Sequence, residues 1–228
     1  VGSSRGLHQH HDLALAGSSK EQTAPWFVPF QPTQRDADQE LNRVWYREGG
    51  AELAADSPRG LFNLLECFER NKVIDLVTEY LGERPALSVR KTSLRKIPCD
   101  LNAENGWHQD GAFLGKGIRT MNLWIALTDC GVDAPSMDMV PRRLDYIVPT
   151  GTDGATFEWS VSKLKIDEAC AGQPPAHLNF KAGDAIVFDE MNLHRTSTLP
   201  GMTKSRFAIE AWFFAPSCYP LDQLPILV

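Results

Sequence analysis

The segment Arg119-Thr-Met-Asn-Leu-Trp-Ile-Ala-Leu-Thr128 alternates between two kinds of position along its whole length. The odd-numbered positions from 121 to 127 are all apolar, whereas the even-numbered positions from 120 to 128 mix small, polar and aromatic side chains. Because successive side chains of a strand point to opposite faces, one face packs against helices or a second sheet and the other lines a cavity. The segment therefore predicts a barrel-wall strand whose Asn122 and Trp124 face that cavity.

A second segment, Arg206–Phe214, shows the same alternation. Its odd-numbered positions from 207 to 213 are apolar, and Arg206, Glu210 and Trp212 lie on the other face. A wall with one apolar side and one side that carries a few polar groups is typical of a ligand cavity. We therefore expect Arg206 to point into the same cavity as Asn122 and Trp124.

The chain has helical periodicity before Pro85 and short β-type runs after it. The predicted helices are Asp36 to Glu48, which stops at Gly49-Gly50, and Pro58 to Leu81, with start and stop signals at Ser57 and Gly82. The predicted strands are 86–97, 106–113, 118–128, 136–148, 176–180, 184–189 and 204–214. This order predicts a mainly β fold with flanking α, specifically a double-stranded β-helix (a jelly-roll or cupin-like barrel) buttressed by N-terminal helices.

Length and composition predict one domain over residues 1–228, of which 1–24 form a flexible segment and 86–216 the jelly roll. The formal charge of −6 argues against a nucleic-acid partner, and the chain has no run of 18 apolar residues that would span a membrane. The five cysteines are scattered without a CxxC spacing, which favours reduced thiols and a cytoplasmic location. The oligomeric state is left open.

Two short motifs together predict a metal site. In Gly106-Trp-His-Gln-Asp-Gly111, a strand would place His108 and Asp110 on one face, and Leu193-His-Arg-Thr196 supplies His194 as a distant third ligand. Two imidazoles and one carboxylate on one side of an ion leave coordination positions open, as in non-haem Fe(II) sites. An isolated HxD triplet has little specificity, so the prediction depends on all three residues.

The motifs as a set resemble the phytanoyl-CoA dioxygenase family of Fe(II)/2-oxoglutarate-dependent oxygenases. They read WHQD at 107–110, NLWIALTD at 122–129, KAGDAIVF at 181–188, LHRT at 193–196 and SRFAIEAWF at 205–213, and the resemblance covers residues 86–216. It implies that His108, Asp110 and His194 are the catalytic metal ligands. It also implies that Arg206 and Thr196 bind the distal carboxylate of 2-oxoglutarate and that Trp124 is the aromatic residue of the third core strand.

The chemistry implied by this resemblance uses Fe(II), 2-oxoglutarate and O2 to hydroxylate an aliphatic C–H of a small or lipid-like organic substrate, with release of succinate and CO2. Arg206 suits the carboxylate because its guanidinium is a planar bidentate donor. The carboxylate ligand Asp110 favours hydroxylation, since related halogenases leave that position to chloride. The loop at 134–144 departs from the family pattern, and Lys91 and Thr92 replace an amide that relatives place near the cosubstrate.

Two other functions stay open: a non-catalytic cupin-like jelly roll that binds a metal or ligand, and the same fold with Zn(II) or Mn(II) in hydrolytic or isomerase chemistry. Several further polar or aromatic residues could have a functional role. For Trp159, covering a ligand and burial under a lid are equal alternatives, and for the others we favour a structural or solvent-exposed role. These residues are His177, the acids Asp189 and Glu190 at a solvated strand end or turn, the exposed pair Arg142 and Arg143, the exposed lysines Lys163 and Lys165 in an expected loop or lid over the barrel mouth, and Trp159 in the same segment.

Overall fold

A computed structural model of the chain describes residues 51–54, 57–99, 106–115, 117–220 and 225–228. The predicted flexible segment 1–24 and the predicted helix from Asp36 to Glu48 lie outside these residues, and the single-domain assignment stays a prediction. The strands are β1 (Ala51–Leu53), β2 (Ala86–Ser88), β3 (Ser93–Ile97), β4 (Thr120–Ala126), β5 (Ser136–Met139), β6 (Ala176–Leu178), β7 (Ala185–Asp189), β8 (His194–Ser197), β9 (Arg206–Phe214) and β10 (Pro225–Leu227). The helices are α1 (Pro58–Arg70), α2 (Val73–Leu81), α3 (Gly111–Leu114) and α4 (Lys163–Cys170), with a 3-10 turn at Pro216–Cys218.

The strands form two antiparallel sheets, which confirms the predicted mainly β, cupin-like fold. In the larger sheet β9 pairs with β3 and β2 along one edge and with β4 along the other, while β1, β7 and β10 extend it. The smaller sheet has the order β6-β5-β8. The strands β4 and β9 pair in register from Thr120 opposite Phe214 to Ala126 opposite Ala208. The two segments with the clearest alternation therefore lie side by side.

Helices α1 and α2 cover the outer face of the larger sheet. Val77 and Leu81 of α2 pack with Met121 and Leu123 of β4 and with Phe213 of β9 in one buried cluster. These are odd-numbered positions of the two strands, so the predicted assignment of the apolar faces is confirmed. Burial of a large apolar side chain contributes roughly 1.5–3 kcal/mol, so this layer supports the sheet that carries the cavity.

The predicted single helix from Pro58 to Leu81 is wrong, because two helices occupy that stretch. Ser57 caps α1 by accepting a hydrogen bond from the Gly60 N–H, and the side chain of Asn71 binds the carbonyl of Cys67 at 2.8 Å at the other end. Lys72 then adopts a left-handed conformation with φ of 62°, which breaks the helix before α2 begins. The predicted stop at Gly82 (φ 74°) is confirmed.

Three of the predicted strands differ clearly from the observed structure. The stretch 86–97 divides at a turn in which the Thr92 N–H binds the Ser88 carbonyl, and 136–148 leaves the sheet after Met139, ahead of Pro141. The prediction of a strand over 106–113 is wrong, since only isolated bridges form at Trp107 and His108 before the short helix α3. None of the helices in the described part of the chain combines the length and the apolar character that a membrane crossing requires.

Candidate functional site

A cavity of about 640 Å³ lies between the two sheets. All seven residues that the sequence predicted for the site line it: His108, Asp110, His194, Arg206, Thr196, Trp124 and Asn122. The even-numbered positions of β4 and β9 supply its wall on the larger sheet, and β8 of the smaller sheet supplies the facing wall through His194 and Thr196, which lie two residues apart on one face.

His108, Asp110 and His194 form a compact cluster at one end of this cavity. One ligand atom from each lies within 4.8 Å of the other two, and His108 Nε2 is 3.9 Å from Asp110 Oδ1. Reciprocal backbone hydrogen bonds of 2.9 and 3.0 Å tie His108 to His194. The structure thus brings the two histidines together through main-chain pairing, although they are 86 positions apart in the sequence.

The geometry that places Asp110 differs from the one expected from an extended strand. Asp110 has helical backbone angles (φ −59°, ψ −32°) and immediately precedes α3. The chain therefore turns between the two residues of the HxD motif, and this turn brings the carboxylate towards His108. The expectation of a shared strand face is wrong, although the two side chains do converge.

Backbone carbonyls orient both imidazole rings. His108 Nδ1 donates to the Gly106 carbonyl at 2.9 Å, and His194 Nδ1 donates to the Asn192 carbonyl at 3.0 Å. A carbonyl only accepts hydrogen bonds, so Nδ1 carries the proton on each ring and each Nε2 has a free lone pair. Metal-binding histidines in proteins are held in this way by a partner on the second nitrogen.

The electrostatics of the cluster also fit a divalent cation. Burial and, to a smaller extent, the neighbouring His194 lower the pKa of His108 to about 3, so the ring is neutral at pH 7. Burial raises the pKa of Asp110, and its Oδ2 atom has no hydrogen-bond partner among the described residues. A buried carboxylate oxygen without a partner is unfavourable, and a metal ion would compensate it. The two imidazoles and this carboxylate therefore form a suitable set of metal ligands.

Arg206 is almost completely buried, with 1% of its surface exposed. Its Nη1 donates to the Ser136 carbonyl at 2.8 Å, its guanidinium carbon lies 5.2 Å from the centre of the Trp124 ring, and its Nε has no partner among the described residues. Burial lowers the pKa of Arg206 to about 10, so the side chain stays charged at pH 7. A buried cation with unused donors can bind a carboxylate strongly.

The Arg206 guanidinium also lies near the strand pair that contains Thr196. Its acceptor Ser136 begins β5, and the next residue, Met137, pairs with Thr196 of β8. The guanidinium therefore extends from the wall of the larger sheet to the facing wall, next to the position of Thr196. This arrangement is suited to an anionic group that needs both a cation and a neutral donor.

Sequence reasoning missed Gln109, which lies between the two residues of the HxD motif. The residue is buried, its Nε2 donates to the carbonyls of Met191 (2.8 Å) and Tyr146 (3.0 Å), and its Oε1 accepts from the Val148 N–H at 2.7 Å. It joins the motif to the loop that precedes His194 and to the loop at 141–148. A polar residue enclosed between two predicted ligands and next to a tryptophan is a weak sequence signal for such a role.

Replacement of Gln109 by methionine should lower both stability and metal affinity. The variant leaves two carbonyls and one N–H without partners, and each such group costs about 1–3 kcal/mol when buried. A total loss of about 3 kcal/mol, the low end for three such groups, corresponds to a fall in Tm of roughly 6–12 °C for a chain of this size. Calorimetric melting with and without Mn(II) measures both effects. Gln173→Met, at an exposed loop position, is the control, and an unchanged Tm in Gln109→Met would contradict this role.

Aromatic side chains surround the metal-ligand end of the cavity. Phe157 and Trp159 stack with ring centres 5.1 Å apart, and the centres of Trp159 and Phe113 lie 5.8 and 5.9 Å from that of His108. Trp159 is 41% exposed, so it is not buried under a lid. These rings form an apolar rim around the metal-ligand cluster.

The structure shows hydrogen-bond partners for four side chains that were expected to be solvated, namely those of Asp189, Glu190, Arg142 and Arg143. Asp189 is buried and accepts hydrogen bonds from Tyr80 Oη (2.5 Å) and from Arg143 Nε, and Glu190 accepts from the Thr120 N–H at 2.9 Å. The expectation that these acids are solvated is wrong, because α2 and the 141–143 loop cover the end of β7. Both arginines are exposed, as predicted, although each also has a partner, since the Arg142 side chain donates to the Ala169 carbonyl.

The remaining candidates have structural or exposed roles. His177 contacts Asp138 at 2.7 Å and the Gly131 carbonyl at 2.8 Å, and Asp138 also pairs with Arg195. The lysines Lys163 and Lys165 lie on α4, where they pair with Asp167 and Glu168 on the helix surface. The expectation of a loop or lid there is corrected, since Ser162 caps this helix by accepting from the Lys165 N–H.

Comparison with known proteins agrees with this geometry. The family model described as phytanoyl-CoA dioxygenase (PhyH) matches residues 20–199. No curated protein matches the sequence. Among solved structures, EvdO2 from Micromonospora carbonacea var. aurantiaca complexed with 2-oxoglutarate is similar at a TM-score of 0.54 and 15% identity, over 87% of this chain and 86% of that one.

Two further structures are similar over part of their length. The epimerase SnoN in complex with Fe3+, alpha ketoglutarate and nogalamycin RO has a TM-score of 0.52 and 16% identity, over 79% of this chain and 73% of that one. EvdMO1 has a TM-score of 0.46 and 21% identity over 66% of this chain, which spans only 32% of the EvdMO1 chain. At these identities, the likeness to EvdO2 and SnoN shows a shared fold.

Proposed function

The chain belongs to the phytanoyl-CoA dioxygenase family, and from this premise we propose that it is a non-haem Fe(II)/2-oxoglutarate-dependent dioxygenase that hydroxylates an aliphatic C–H of a small or lipid-like organic substrate. One observation carries the proposal: a His-Asp-His cluster with converging ligand atoms and a buried arginine with unused donors line the same cavity. A site that binds only iron would not need the buried arginine.

Each of the seven cavity residues has a role in this proposal. His108, Asp110 and His194 hold the metal on one side, so the other side stays open to ligands from the cavity. Arg206 and Thr196 bind the distal carboxylate of 2-oxoglutarate, and the ring of Trp124 limits how far the guanidinium can move. Asn122 is buried in the cavity wall, and its Oδ1 has no partner among the described residues, so it is available to accept a hydrogen bond from a bound water that contacts the cosubstrate.

When bound, iron and 2-oxoglutarate would supply the activation of O2, with release of succinate and CO2 and transfer of one oxygen atom to the substrate. The protein's own contribution is to position the reactants and to exclude water. The backbone-held imidazoles preset the metal geometry, and the anchored guanidinium presets the orientation of the keto-diacid. The aromatic rim of Phe113, Phe157 and Trp159 offers an apolar surface next to His108 for the C–H group.

Anaerobic addition of Fe(II) and 2-oxoglutarate tests this function directly. Chelation of the cosubstrate should produce a weak visible charge-transfer band, and admission of O2 should convert 2-oxoglutarate to succinate. A band without any succinate would support the non-catalytic cupin-like alternative. Tight Zn(II) or Mn(II) binding without a band or oxygen uptake would support hydrolytic or isomerase chemistry. Either result would overturn the oxygenase proposal.

A further inference from the structure

The charged side chains of the cavity do not balance once the proposed cofactors are counted. Among the described residues, the ionisable groups in its lining, apart from the histidines, are Lys91, Arg95, Arg206, Asp110 and Glu210. Arg95 and Glu210 form an ion pair at 2.7 Å and offset each other. A divalent ion beside Asp110 leaves one positive charge, Arg206 and Lys91 add two more, and the two carboxylates of 2-oxoglutarate remove two. One positive charge is left over.

Lys91 is the source of this surplus. Arg206 serves one carboxylate of the cosubstrate in the proposed function and the metal serves the other, so neither carboxylate needs the lysine. Within the described part of the chain, no carboxylate oxygen lies within 4.0 Å of Lys91 Nζ. The ammonium group lies instead 4.5 Å from the centre of the Trp212 ring, a cation–π contact that steadies it without neutralising it.

The backbone of Lys91 is firmly held, so its side chain enters the cavity from a fixed point. The residue lies in the turn between β2 and β3, where its N–H donates to Ser88 Oγ at 3.3 Å. The next residue, Thr92, is buried and donates from both its N–H and its hydroxyl to the Ser88 carbonyl, at 3.0 and 2.7 Å. Half-buried against the cavity wall, Lys91 is better placed for a ligand inside the cavity than for one in solvent.

Lys91 also lines the same cavity as His108 and Asp110. A substrate carbon held near the metal-ligand cluster would therefore share this cavity with the ammonium group. The same carbon would contact the aromatic rim around His108.

We propose that Lys91 binds the carboxylate group of the organic substrate that the enzyme oxidises. This substrate is then a monocarboxylate with an apolar body. One negative charge neutralises the surplus in a cavity where an unbalanced charge is costly. The apolar body fits the rim of Phe113, Phe157 and Trp159, and the distance between Lys91 and the metal then selects the carbon that is oxidised. This inference rests on the proposed function for the positions of iron and 2-oxoglutarate.

The test compares carboxylates with their neutral amides. Octanoate, phenylacetate and cyclohexanecarboxylate, each beside its primary amide, are titrated by calorimetry into the protein saturated with Mn(II) and 2-oxoglutarate. The same pairs are assayed for stimulation of succinate release with Fe(II) and O2. At least one carboxylate should bind about tenfold or more tightly than its amide and should stimulate turnover. Lys91→Met should abolish the preference, and Lys91→Arg should retain it.

The control variant is Lys96→Met, the same substitution at an exposed lysine of β3, and it should keep the wild-type preference. The Kd of 2-oxoglutarate should stay within about twofold in Lys91→Met. A tenfold rise in that Kd would overturn the proposal and assign Lys91 to the cosubstrate, and equal binding of carboxylates and amides to the wild type would overturn it as well. If the wild type gives no Fe(II)/2-oxoglutarate band but calorimetry still shows a Lys91-dependent preference, the oxygenase function fails and the Lys91 site stands.

Discussion

Succinate release should fall more than about hundredfold when His108, Asp110 or His194 is replaced by alanine. Each side chain supplies one of the three converging donor atoms, and loss of even an outer partner of a metal ligand commonly costs about 10–100-fold in affinity or activity. The measurement is the rate of 2-oxoglutarate conversion at saturating Fe(II), together with Fe(II) binding in the absence of O2. Asp145→Ala, at an exposed position, should keep wild-type turnover and serves as the control.

Loss of activity in these variants should not come from unfolding. Burial raises the pKa of Asp110, which means that its charge is held at a cost in the metal-free protein. Asp110→Asn removes that charge at nearly equal volume, so the metal-free variant should melt at the same temperature as the wild type or above it. Undiminished turnover in any of the three alanine variants would remove the cluster from the proposal.

Arg206→Ala should raise the KM for 2-oxoglutarate by about 30-fold or more. The variant removes a charge-assisted interaction with the distal carboxylate, which contributes about 2 kcal/mol or more inside a cavity, and each 1.4 kcal/mol is tenfold in affinity. Steady-state kinetics over a range of 2-oxoglutarate concentrations separate this effect from kcat, which should fall less. The anaerobic charge-transfer band gives the Kd independently of turnover.

Two further variants sharpen the interpretation of Arg206. Thr196→Val removes one neutral hydrogen bond and should raise the KM only about fivefold, because such a bond contributes about 1 kcal/mol. Arg206→Lys keeps the charge but loses the planar pair of donors, so its KM should lie between those of the wild type and Arg206→Ala. Arg59→Ala, at an exposed position of α1, is the matched control. A KM in Arg206→Ala equal to that of the wild type would place the carboxylate elsewhere.

The two alternating segments show how much of the fold the sequence predicted. The odd-numbered residues Met121, Leu123 and Phe213 pack under the helices, and the even-numbered residues Trp124 and Arg206 line the cavity. Alternation is a local property of extended backbone, so it can be read without knowing which strands pair. The positions of the predicted site residues followed from these faces and from the family motifs.

The failures occurred where the local pattern does not determine the backbone. The apolar stripe from Pro58 to Leu81 continues through the break at Lys72, because periodicity registers which face is buried and not whether the helix is continuous. The stretch 106–113 has too few alternating residues to distinguish a strand from a turn. Asp189 looked solvated because its partner Tyr80 lies 109 positions away, on a helix whose packing the sequence pattern does not specify.

The fold class and the residues that face the cavity could be predicted from the order of the amino acids, since both follow from side-chain periodicity and from short motifs. Tertiary structure alone decided how those residues meet: His108 pairs with His194 through the main chain, Gln109 joins three loops, and Lys91 enters the cavity without a carboxylate partner in the described part of the chain. The physical reason is that hydrogen bonds and charge balance depend on which distant segments pack together, and periodicity carries no information about that packing.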